Sequence, residues 1–368
     1  MKYYIISGEA SGDLHGSNLM RAIYAKDPAA DIRFWGGDRM AAVGGVMAKS
    51  IKDIAFMGFV EVAAHLHEVL GNLRYCKDDI TRFAPDVVVL IDYPGFNLKI
   101  AKFAHDKGYR TVYYISPQVW AWKKGRIRTM RRCIDRLCCI LPFERQFYIE
   151  NKFNQATYVG HPLLDEVARY KAQAREQEDA ERPIIALLPG SRCQEVRKTL
   201  PLMLSVAARR TEYRYEVAGV SMLGEAFYRQ LMKDATDNVS LRMDSTYDVL
   251  SSARAAVVCS GTATLEAALF KVPQVVCYRA NALSVALARR LLKIKYISLV
   301  NLIADAPVVR ELIQDDFNVE TLEGELRMVA EEGPQRSKML DAYEQIVELL
   351  GAQGASDRVA QECMAFCN

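Results

Sequence analysis

The sequence KYYIISGEASGD, residues 2–13, is typical of a buried strand that runs through a tight loop into a helix. The strand is apolar on both faces, the loop contains Gly8 and Gly12, and residues 14–26 have helical character. The same order recurs along the chain, as in DVVVLID at 86–92 and PIIALLP at 183–189. Such strands, separated by helices, predict parallel sheets that are covered on both sides.

The chain has strand-rich segments on both sides of KAQAREQEDAER, residues 171–182, which contains no apolar residue larger than alanine. This stretch is interpreted as a linker, with an exposed helix end as the alternative. We therefore expect an α/β protein with two Rossmann-like domains, 1–170 and 183–333. Residues 334–368 are predicted to form helices that pack back on the first domain or on a partner subunit.

Composition excludes several classes of protein. The 48 Lys and Arg nearly balance the 45 Asp and Glu, so the net charge of +3 does not indicate a nucleic-acid partner. Nine cysteines without a C-x-x-C pair suggest reduced, buried thiols in the cytoplasm, and five scattered histidines give no metal-ligand spacing. The amino terminus is interpreted as mature protein, and no apolar stretch approaches the length of a membrane span.

Ligands of open α/β sheets bind beyond the carboxyl ends of the strands, so the loops at those ends are the candidate sites. The loop after the first strand is not a G-x-G-x-x-G fingerprint, which disfavours NAD. Ser11 and Asp13 are candidates for ligand contact, with capping of the following helix as the alternative. Glu9 has no such local explanation, and its carboxylate is suited to orient a sugar hydroxyl.

Asp92 ends the apolar strand DVVVLID and is followed by Pro94 and Gly95, which turn the chain away. Burial at this position would raise the pKa of the Asp92 carboxyl and suit it to act as a general base. In glycosyl transfer it would accept the proton of the acceptor hydroxyl as the anomeric carbon is attacked. The alternative is that Asp92 caps the following helix or bonds the turn.

The loop LPGSRCQE, residues 188–195, combines features of an oxyanion site. Gly190 permits close approach to the backbone, and Ser191 and Gln194 have the spacing of a capping box. Arg192 supplies a fork of hydrogen-bond donors, with a simple surface arginine as the alternative. The diphosphate of a nucleotide sugar fits best, because charge builds up on that leaving group and must be stabilised where no metal is bound.

The loop CSGTATLE, residues 259–266, again joins a strand to a helix. Its hydroxyl groups and amides at the helix start are suited to phosphate. Glu266, one turn into the helix, is placed to accept both ribose hydroxyls of a nucleotide, with a solvated helix face as the alternative.

Taken together, these loops resemble the lipid-A-disaccharide synthase family, which has the GT-B fold of two Rossmann-like domains facing across a cleft. The resemblance rests, in chain order, on GEASGD, FWGGDRM, FMGFVEV, IDYPGFN, YYISPQVWAW, LPFE, VGHPLLD, LLPGSR, SGTATLE, YR and YISLVNLIA. It implies an inverting transfer of 2,3-diacylglucosamine from UDP to 2,3-diacylglucosamine 1-phosphate, which forms a β-1,6 disaccharide in lipid A biosynthesis. It implies no cofactor and no metal.

The resemblance also implies roles for individual residues. Asp92 matches the expected base, and Glu9 a second acid on the acceptor side. The other acceptor-side candidates are Ser11, Asp13, Asn97, Gln118 and Trp120. The donor-binding candidates are Gly190, Ser191, Arg192, Ser260, Gly261, Thr262, Glu266, Tyr278, Arg279 and Asn301.

Because these substrates carry acyl chains, the apolar segment 54–73 is interpreted as a helix at the membrane interface, with a core helix as the alternative. In the family a comparable helix is thought to contact the membrane, so the segment predicts peripheral binding at the cytoplasmic face of the inner membrane. The contact residues would be Phe56, Met57, Phe59, Val62, Leu66, Val69, Leu70 and Leu73. Basic tracts at 123–132 and 289–295 would meet anionic lipid or an acceptor phosphate, with solvated helix faces as the alternative.

Two other functions stay open. One is another UDP-sugar enzyme of the same architecture, either a UDP-N-acetylglucosamine epimerase or a transferase with a soluble acceptor. The apolar segment argues against a wholly soluble acceptor. The other is a non-catalytic nucleotide-binding or scaffold protein, which would not need Asp92, Glu9 and Arg192 all at strand ends. A homodimer through the carboxyl-terminal region is a further expectation.

Overall fold

The structure, a computed structural model, describes residues 1–53, 66–121, 125–173, 182–279 and 295–367. The chain divides into two compact units. The first unit consists of residues 1–162 together with 352–368, and the second of residues 163–351.

The first unit is built on a parallel sheet with the strand order β3-β2-β1-β4-β5-β6-β7 among the residues described. Every neighbouring pair is parallel, and β4 is buried along its whole length because its residues are apolar on both faces. The strands are β1 (Lys2–Ile6), β2 (Asp31–Gly36), β3 (Val46–Ser50), β4 (Val87–Ile91), β5 (Arg110–Tyr114), β6 (Arg136–Cys139) and β7 (Ala156–Tyr158).

Helices cover both faces of this sheet, and each face has its own apolar core. Trp35 and Tyr4 lie in one core, and Phe34 and Tyr3 lie in the other, as the alternation of side chains along a strand requires. The helices of this part of the chain are α1 (Ala10–Lys26), α2 (Asp38–Ala41), α3 (Leu66–Phe83), α4 (Pro94–Asp106), α5 (Arg126–Cys133) and α6 (Pro142–Glu150).

The second unit repeats the design with the strand order β10-β9-β8-β11-β12-β13, again all parallel. Its strands are β8 (Ile184–Leu188), β9 (Arg214–Gly219), β10 (Val239–Met243), β11 (Ala253–Cys259), β12 (Gln274–Tyr278) and β13 (Arg310–Ile313). Its helices are α7 (Pro162–Gln173), α8 (Cys193–Arg209), α9 (Glu225–Leu231), α10 (Thr246–Ser252), α11 (Ala263–Leu269), α12 (Leu299–Ala304), α13 (Val319–Ala330) and α14 (Pro334–Leu350).

The two units meet in sequence at Pro162 and Leu163, before the predicted linker at 171–182. Helix α7 belongs to the second unit because its side chains bond there. Tyr170 Oη donates to Asp248 Oδ1 at 2.7 Å, and Lys171 Nζ donates to the carbonyl of Leu269 at 3.0 Å. Of the predicted linker, residues 171–173 end this helix, and 174–181 lie outside the described residues.

The predicted helical tail is divided between the units. Helix α14 belongs to the second unit, whereas α15 (Ala355–Met364) packs on α1 of the first. Val359 and Cys363 of α15 are fully buried in a core of the first unit. Arg358 fixes the approach of this helix, because its Nε donates to the carbonyl of Val159 at 2.7 Å.

In the described parts of the chain, no helix is long and apolar enough to cross a membrane. The cysteines up to Cys363 that the structure describes are free thiols, and all of these but the half-exposed Cys193 are buried, as their apolar surroundings predict.

The strand order reverses between β1 and β4 in the first sheet and between β8 and β11 in the second. Such a switch point is where loops diverge and leave a crevice for a ligand. The four loops singled out in the sequence follow these four strands.

Candidate active site

The loops after β1 and β4 are neighbours because these two strands pair, with Ile6 opposite Leu90. Gly8 lies against the ring of Tyr93, so closely that a side chain at position 8 would overlap the ring. Glycine at this position therefore lets the two loops pack together. Glu9 and Asp92 are brought to the same edge of the sheet.

Asp92 and Tyr93 form a left-handed turn, with φ angles of 45° and 49°. This conformation is uncommon for residues other than glycine. Hydrogen bonds hold it in place, since the carbonyl oxygen of Asp92 accepts from Tyr113 Oη at 2.5 Å and from Asn97 Nδ2 at 2.8 Å. Strained backbone that is held this firmly is typical of functional sites.

Burial raises the pKa of the half-buried Asp92 carboxyl to about 6, and the negative charge of Glu9 adds to this effect. A hydrogen bond from the backbone of Tyr93 opposes the rise. The residue before α4 is Tyr93, and it makes no side-chain cap. The bond from the backbone of Tyr93 means that the Asp92 carboxyl also bonds its own turn, as the alternative interpretation expected. A carboxyl with this pKa is poised to exchange a proton near neutral pH.

Glu9 is the residue that precedes α1, and its exposed side chain caps none of the helix amides. Ser11 is exposed in the first turn of α1. Asp13 is buried and accepts from the backbone amides of Gly37 at 2.7 Å and of Met40 at 3.1 Å. Asp13 therefore does not cap its own helix. It fixes the start of α2, which explains its place in the sequence without a ligand.

Asn97 is fully buried, with its Nδ2 donating to the carbonyl groups of Ile91 and Asp92. Its Oδ1 is buried without a hydrogen-bond partner. This geometry gives Asn97 a role in shaping the Asp92 turn.

Glu144 is a site residue that the sequence did not single out. It is fully buried, and burial raises the pKa of its carboxyl against the hydrogen bonds that it accepts. Ser116 Oγ and Trp120 Nε1 both donate to Glu144 Oε1. Trp120 is thereby half-buried, whereas Gln118 is exposed. The motif LPFE contained the signal, because proline followed by an acid in a first helical turn indicates a capping role.

In the second unit, β8 and β11 pair, with Leu188 opposite Val258, so the loops that follow them are adjacent. Gly190 has φ of 110°, and a Cβ there would lie 3.0 Å from Glu195 Cβ. Only glycine fits without strain. Helix α8 begins at Cys193 with Arg192 before it, so the predicted capping box of Ser191 and Gln194 does not form.

The Arg192 side chain is 67% exposed and its Nη1 lies 3.3 Å from Glu195 Oε1. Ser191 is also exposed. Both are accessible to a ligand, and their role in binding one stays a prediction.

The loop after β11 exposes Gly261 and Thr262 at the start of α11, while Ser260 Oγ donates to the carbonyl of Ile297 at 2.8 Å. Glu266 is half-buried and does not lie on a solvated face. Burial raises the pKa of its carboxyl to about 7, and Tyr247 Oη donates to its Oε1 at 3.2 Å. Tyr247 is a second residue that the sequence did not reveal.

Tyr278 ends β12 half-buried, and Arg279 follows it with an exposed side chain. Burial raises the pKa of Tyr278, and the negative charge of Glu195 adds to it. Asn301, in contrast, is buried and bonds within the chain, with Nδ2 donating to Val309 and Glu311 and Oδ1 accepting from Val309. We assign Asn301 a structural role, because these bonds join α12 to β13 and to the residue before it.

The predicted membrane face maps on helix α3 only in part. Leu70 is 54% exposed and Val69 is partly buried, but Leu73 lies in the core at 7% exposure. The structure removes Leu73 from that face, because its position on the helix points to the sheet. Phe56, Met57, Phe59 and Val62 lie outside the described residues, as does the side chain of Leu66.

The basic tract at 123–132 is described from Gly125 onward, where Arg128, Arg131 and Arg132 are exposed. Of the tract at 289–295, only Lys295 is described, and it pairs with Asp305 at 3.1 Å. Within the described ranges, no group of three or more His, Cys, Asp or Glu side chains could hold a metal ion.

Known sequences match this chain over nearly its whole length. The pattern of the Lipid-A-disaccharide synthetase family matches residues 3–365. The chain is 38% identical to a lipid-A-disaccharide synthase of Syntrophus aciditrophicus, over 97% of this chain and 95% of that protein. It is 36% identical to the lipid-A-disaccharide synthase of Nitrosococcus oceani, over 98% and 95% of the two chains.

Solved structures share the fold at low sequence identity. The glycotransferase of kitacinnamycin is 13% identical, with a TM-score of 0.69 over 99% of this chain and 98% of its own. The UDP-GlcNAc 2-epimerase of Methanocaldococcus jannaschii, solved with UDP-GlcNAc and UDP, is 11% identical, with a TM-score of 0.68 over 99% and 100% of the chains. The expected GT-B type of fold, with two Rossmann-like units, is thus confirmed.

Proposed function

The chain belongs to the lipid-A-disaccharide synthase family, and from this premise we propose its substrates and the roles of its residues. It is a hexosyltransferase of lipid A biosynthesis that acts on lipid-linked sugars. The proposed donor is UDP-2,3-diacylglucosamine and the proposed acceptor is 2,3-diacylglucosamine 1-phosphate. The products are the β-1,6-linked disaccharide 1-phosphate and UDP, formed with inversion at the anomeric carbon.

Asp92 is the proposed general base, and the left-handed turn that carries it is the observation on which this proposal rests. The turn is fixed by Tyr113 and Asn97, and the pKa of the carboxyl is raised to about 6. An ionised Asp92 would accept the proton of the 6-hydroxyl as that oxygen attacks the sugar donor. Such positioned proton transfer contributes about 10²- to 10⁴-fold in rate. A single displacement by this oxygen, without a covalent intermediate, inverts the configuration at the anomeric carbon.

Glu9 is the proposed second acid of the acceptor half. Its charge is close enough to Asp92 to raise that group's pKa, and its own carboxylate caps no helix amide. It is therefore available to orient a sugar hydroxyl.

The donor is proposed to bind the second unit, with its diphosphate at Gly190, Ser191, Arg192 and the loop 260–262. Backbone amides at the starts of α8 and α11 and the exposed Arg192 guanidinium would stabilise the departing diphosphate. Glu266 would accept the ribose hydroxyls once ionised. Tyr278 and Arg279 would border this site. The first unit, residues 1–162 with 352–368, would then bind the acceptor, and the second unit, residues 163–351, the donor.

The protein is proposed to work at the cytoplasmic face of the inner membrane, where acylated sugars are embedded. Exposed Leu70 and partly buried Val69 of α3 supply the described part of the contact surface, which Phe56, Met57, Phe59, Val62 and Leu66 would extend. The exposed arginines of α5 would face anionic lipid. A homodimer through the carboxyl-terminal region is also proposed.

The test is an assay of the purified protein in mixed detergent micelles with both acylated substrates and no divalent metal. We expect equal amounts of UDP and disaccharide, with a β-1,6 linkage by NMR. A parallel incubation with UDP-N-acetylglucosamine alone tests the alternative epimerase function, because the M. jannaschii epimerase has a similar fold. Turnover of that sugar without formation of a disaccharide would overturn the proposal.

A further inference from the structure

Segment 115–121, which follows β5, is tied at two points to one buried oxygen atom. Ser116 Oγ donates to Glu144 Oε1 at 2.6 Å, and Trp120 Nε1 donates to the same oxygen at 3.1 Å. Ile115 has φ of 64°, which is a strained conformation for a β-branched side chain. The bonds to Glu144 offset this strain and keep the segment in one conformation.

The other oxygen of Glu144 has a separate task. Glu144 Oε2 accepts from the backbone amides of Leu141 at 3.1 Å and of Ile140 at 3.3 Å, which completes the start of α6. The two oxygens therefore join the helix after β6 to the segment after β5. Tyr148 of the same helix donates from Oη to the carbonyl of Pro117 at 3.2 Å, which fixes the middle of the segment.

This support leaves one polar side chain of the segment turned to solvent. Val119 is 1% exposed and Ala121 is 6% exposed, whereas Gln118 between Pro117 and Val119 is exposed. The Gln118 amide offers two hydrogen-bond donors and an acceptor, a set that matches sugar hydroxyl groups.

The segment lies beside Asp92. Strand β5 pairs with β4, and the backbone amide of Asp92 donates to the carbonyl of Tyr114 at 3.0 Å, immediately before the segment. A side chain presented here can contact a sugar whose hydroxyl is held at Asp92.

We propose that Glu144 is a positioning residue which, through Ser116 and Trp120, holds Gln118 as a fixed contact for hydroxyl groups of the acceptor sugar. This inference rests on the proposed function, because it takes the acceptor to bind beside Asp92. A fixed amide binds better than a mobile one since less side-chain and backbone freedom is lost on binding.

The variants that test the proposal are Gln118→Ala and the pair Ser116→Ala with Trp120→Phe. The pair removes both bonds to Oε1 and leaves the helix cap at Oε2 intact. The unit is expected to fold with lowered stability, because Oε1 stays buried without these two donors. In each case the acceptor KM should rise about 10-fold, the effect of one lost hydrogen bond of about 1.4 kcal/mol, while kcat and the donor KM stay within about twofold.

Asp79→Asn is the matched control for a general loss of stability. Asp79 is a buried acid of the same unit that accepts from Tyr4 Oη at 2.7 Å and from Arg33, and neither of these partners lies in segment 115–121. Its replacement should lower the stability of the first unit and leave the acceptor KM unchanged. An equal rise of KM in this control would assign the effect to instability and overturn the proposal.

Combining Gln118→Ala with the double replacement separates positioning from an independent role. If Ser116 and Trp120 act through Gln118, the triple variant should have the acceptor KM of Gln118→Ala alone. Multiplied effects would overturn the proposal. Hydrogen exchange adds a ligand-free measurement, since the double replacement should speed exchange of the amides of 115–121 and spare β4. Unchanged exchange would also overturn it.

Failure of the inference and failure of the proposed function give different results. A wild-type protein that forms no disaccharide from the two acylated sugars overturns the proposed function and the acceptor contact together. A wild-type protein that forms it, with an acceptor KM that none of these variants changes, overturns only the role of Gln118 and Glu144.

Discussion

The Tyr113 hydroxyl donates to the Asp92 carbonyl at 2.5 Å, from a strand that is hydrogen-bonded directly to the strand that Asp92 ends. The bond is made to the backbone of Asp92 and does not occupy the carboxylate, which is hydrogen-bonded to the backbone amide of Tyr93. Asn97, in the helix that follows the turn, donates to the same carbonyl. A left-handed conformation at two successive residues is thus stabilised from two elements, and the position of the carboxylate is set by the sheet.

Asp92→Asn keeps the shape of the side chain and removes its capacity to accept a proton. We expect turnover to fall by about 10²- to 10⁴-fold, while the affinity for UDP stays unchanged because the proposed donor site lies in the other unit. Steady-state rates and calorimetric titration with UDP measure the two quantities. Asp78→Asn, on an exposed face of α3, is the control and should retain full turnover. Near-normal turnover of Asp92→Asn would exclude Asp92 as the base.

The pH dependence of kcat/KM should show an acid limb near the pKa of Asp92. A base works only when ionised, so the rate should fall as pH decreases through about 6. Glu9 raises this pKa by charge repulsion, so Glu9→Gln should move the limb to lower pH. A limb that stays in place in Glu9→Gln would show that another group controls it.

Arg192→Ala tests stabilisation of the leaving diphosphate. Loss of a donor that acts in the transition state costs about 10²- to 10³-fold in kcat. Arg229→Ala is the matched control, since Arg229 is also an exposed arginine that pairs with a glutamate of its own helix turn. Both variants should have the same stability, and only Arg192→Ala should slow the reaction. Equal rates in the two variants would return Arg192 to the class of ordinary surface residues.

His15 and His161 should make the first unit less stable in acid. Burial lowers the pKa of His15 to about 4 and that of His161 to about 3, so both are neutral in the folded protein. In the unfolded chain the pKa of histidine is near 6.5, so below that pH protonation favours the unfolded state. The free energy of unfolding should therefore fall by about 2 kcal/mol for each histidine between neutral pH and pH 5.

Urea unfolding at pH 7.5 and pH 5, followed by tryptophan fluorescence, measures this loss. All three tryptophans of the sequence precede residue 163, so their emission reports on the first unit. The loss should be smaller in His15→Gln. An equal loss in that variant would show that other groups dominate the acid sensitivity.

Leu70→Asp tests the proposed membrane contact. The side chain is 54% exposed on α3, so its replacement should leave folding intact and weaken binding to vesicles that contain anionic lipid. Leu349→Asp is the matched control, because Leu349 is 52% exposed on a helix of the second unit. Sedimentation with vesicles measures both. Equal binding of the two variants would place the contact elsewhere.

Local sequence patterns were sufficient to predict the parallel sheets and the four loops. Strands such as Val87–Ile91 are apolar on both faces, and short runs of this kind are typical of strands buried in a parallel sheet. The limits of the units were harder to predict, because α7 joins the second unit through hydrogen bonds of Tyr170 and Lys171. These bonds connect residues far apart in the chain, and no local pattern contains them.

The roles of buried acids were also beyond local reasoning. Asp13 accepts from the backbone amides of Gly37, Arg39 and Met40. Glu144 accepts from Ser116 and Trp120, and only the fold brings these partners together. Leu73 illustrates the same limit, since helical spacing predicts an apolar face but does not tell whether membrane or protein covers it.

The return of α15 to the first unit affects the order in which a ribosome can complete the two units. Residues 163–351 hold every strand of the second sheet in one continuous segment, so that unit can fold as soon as it leaves the exit tunnel. The first unit must wait for Val359 and Cys363, although its strands are translated first. During translation, the side of its sheet beneath α15 therefore lacks its final cover, and a chaperone would have its longest opportunity to bind there.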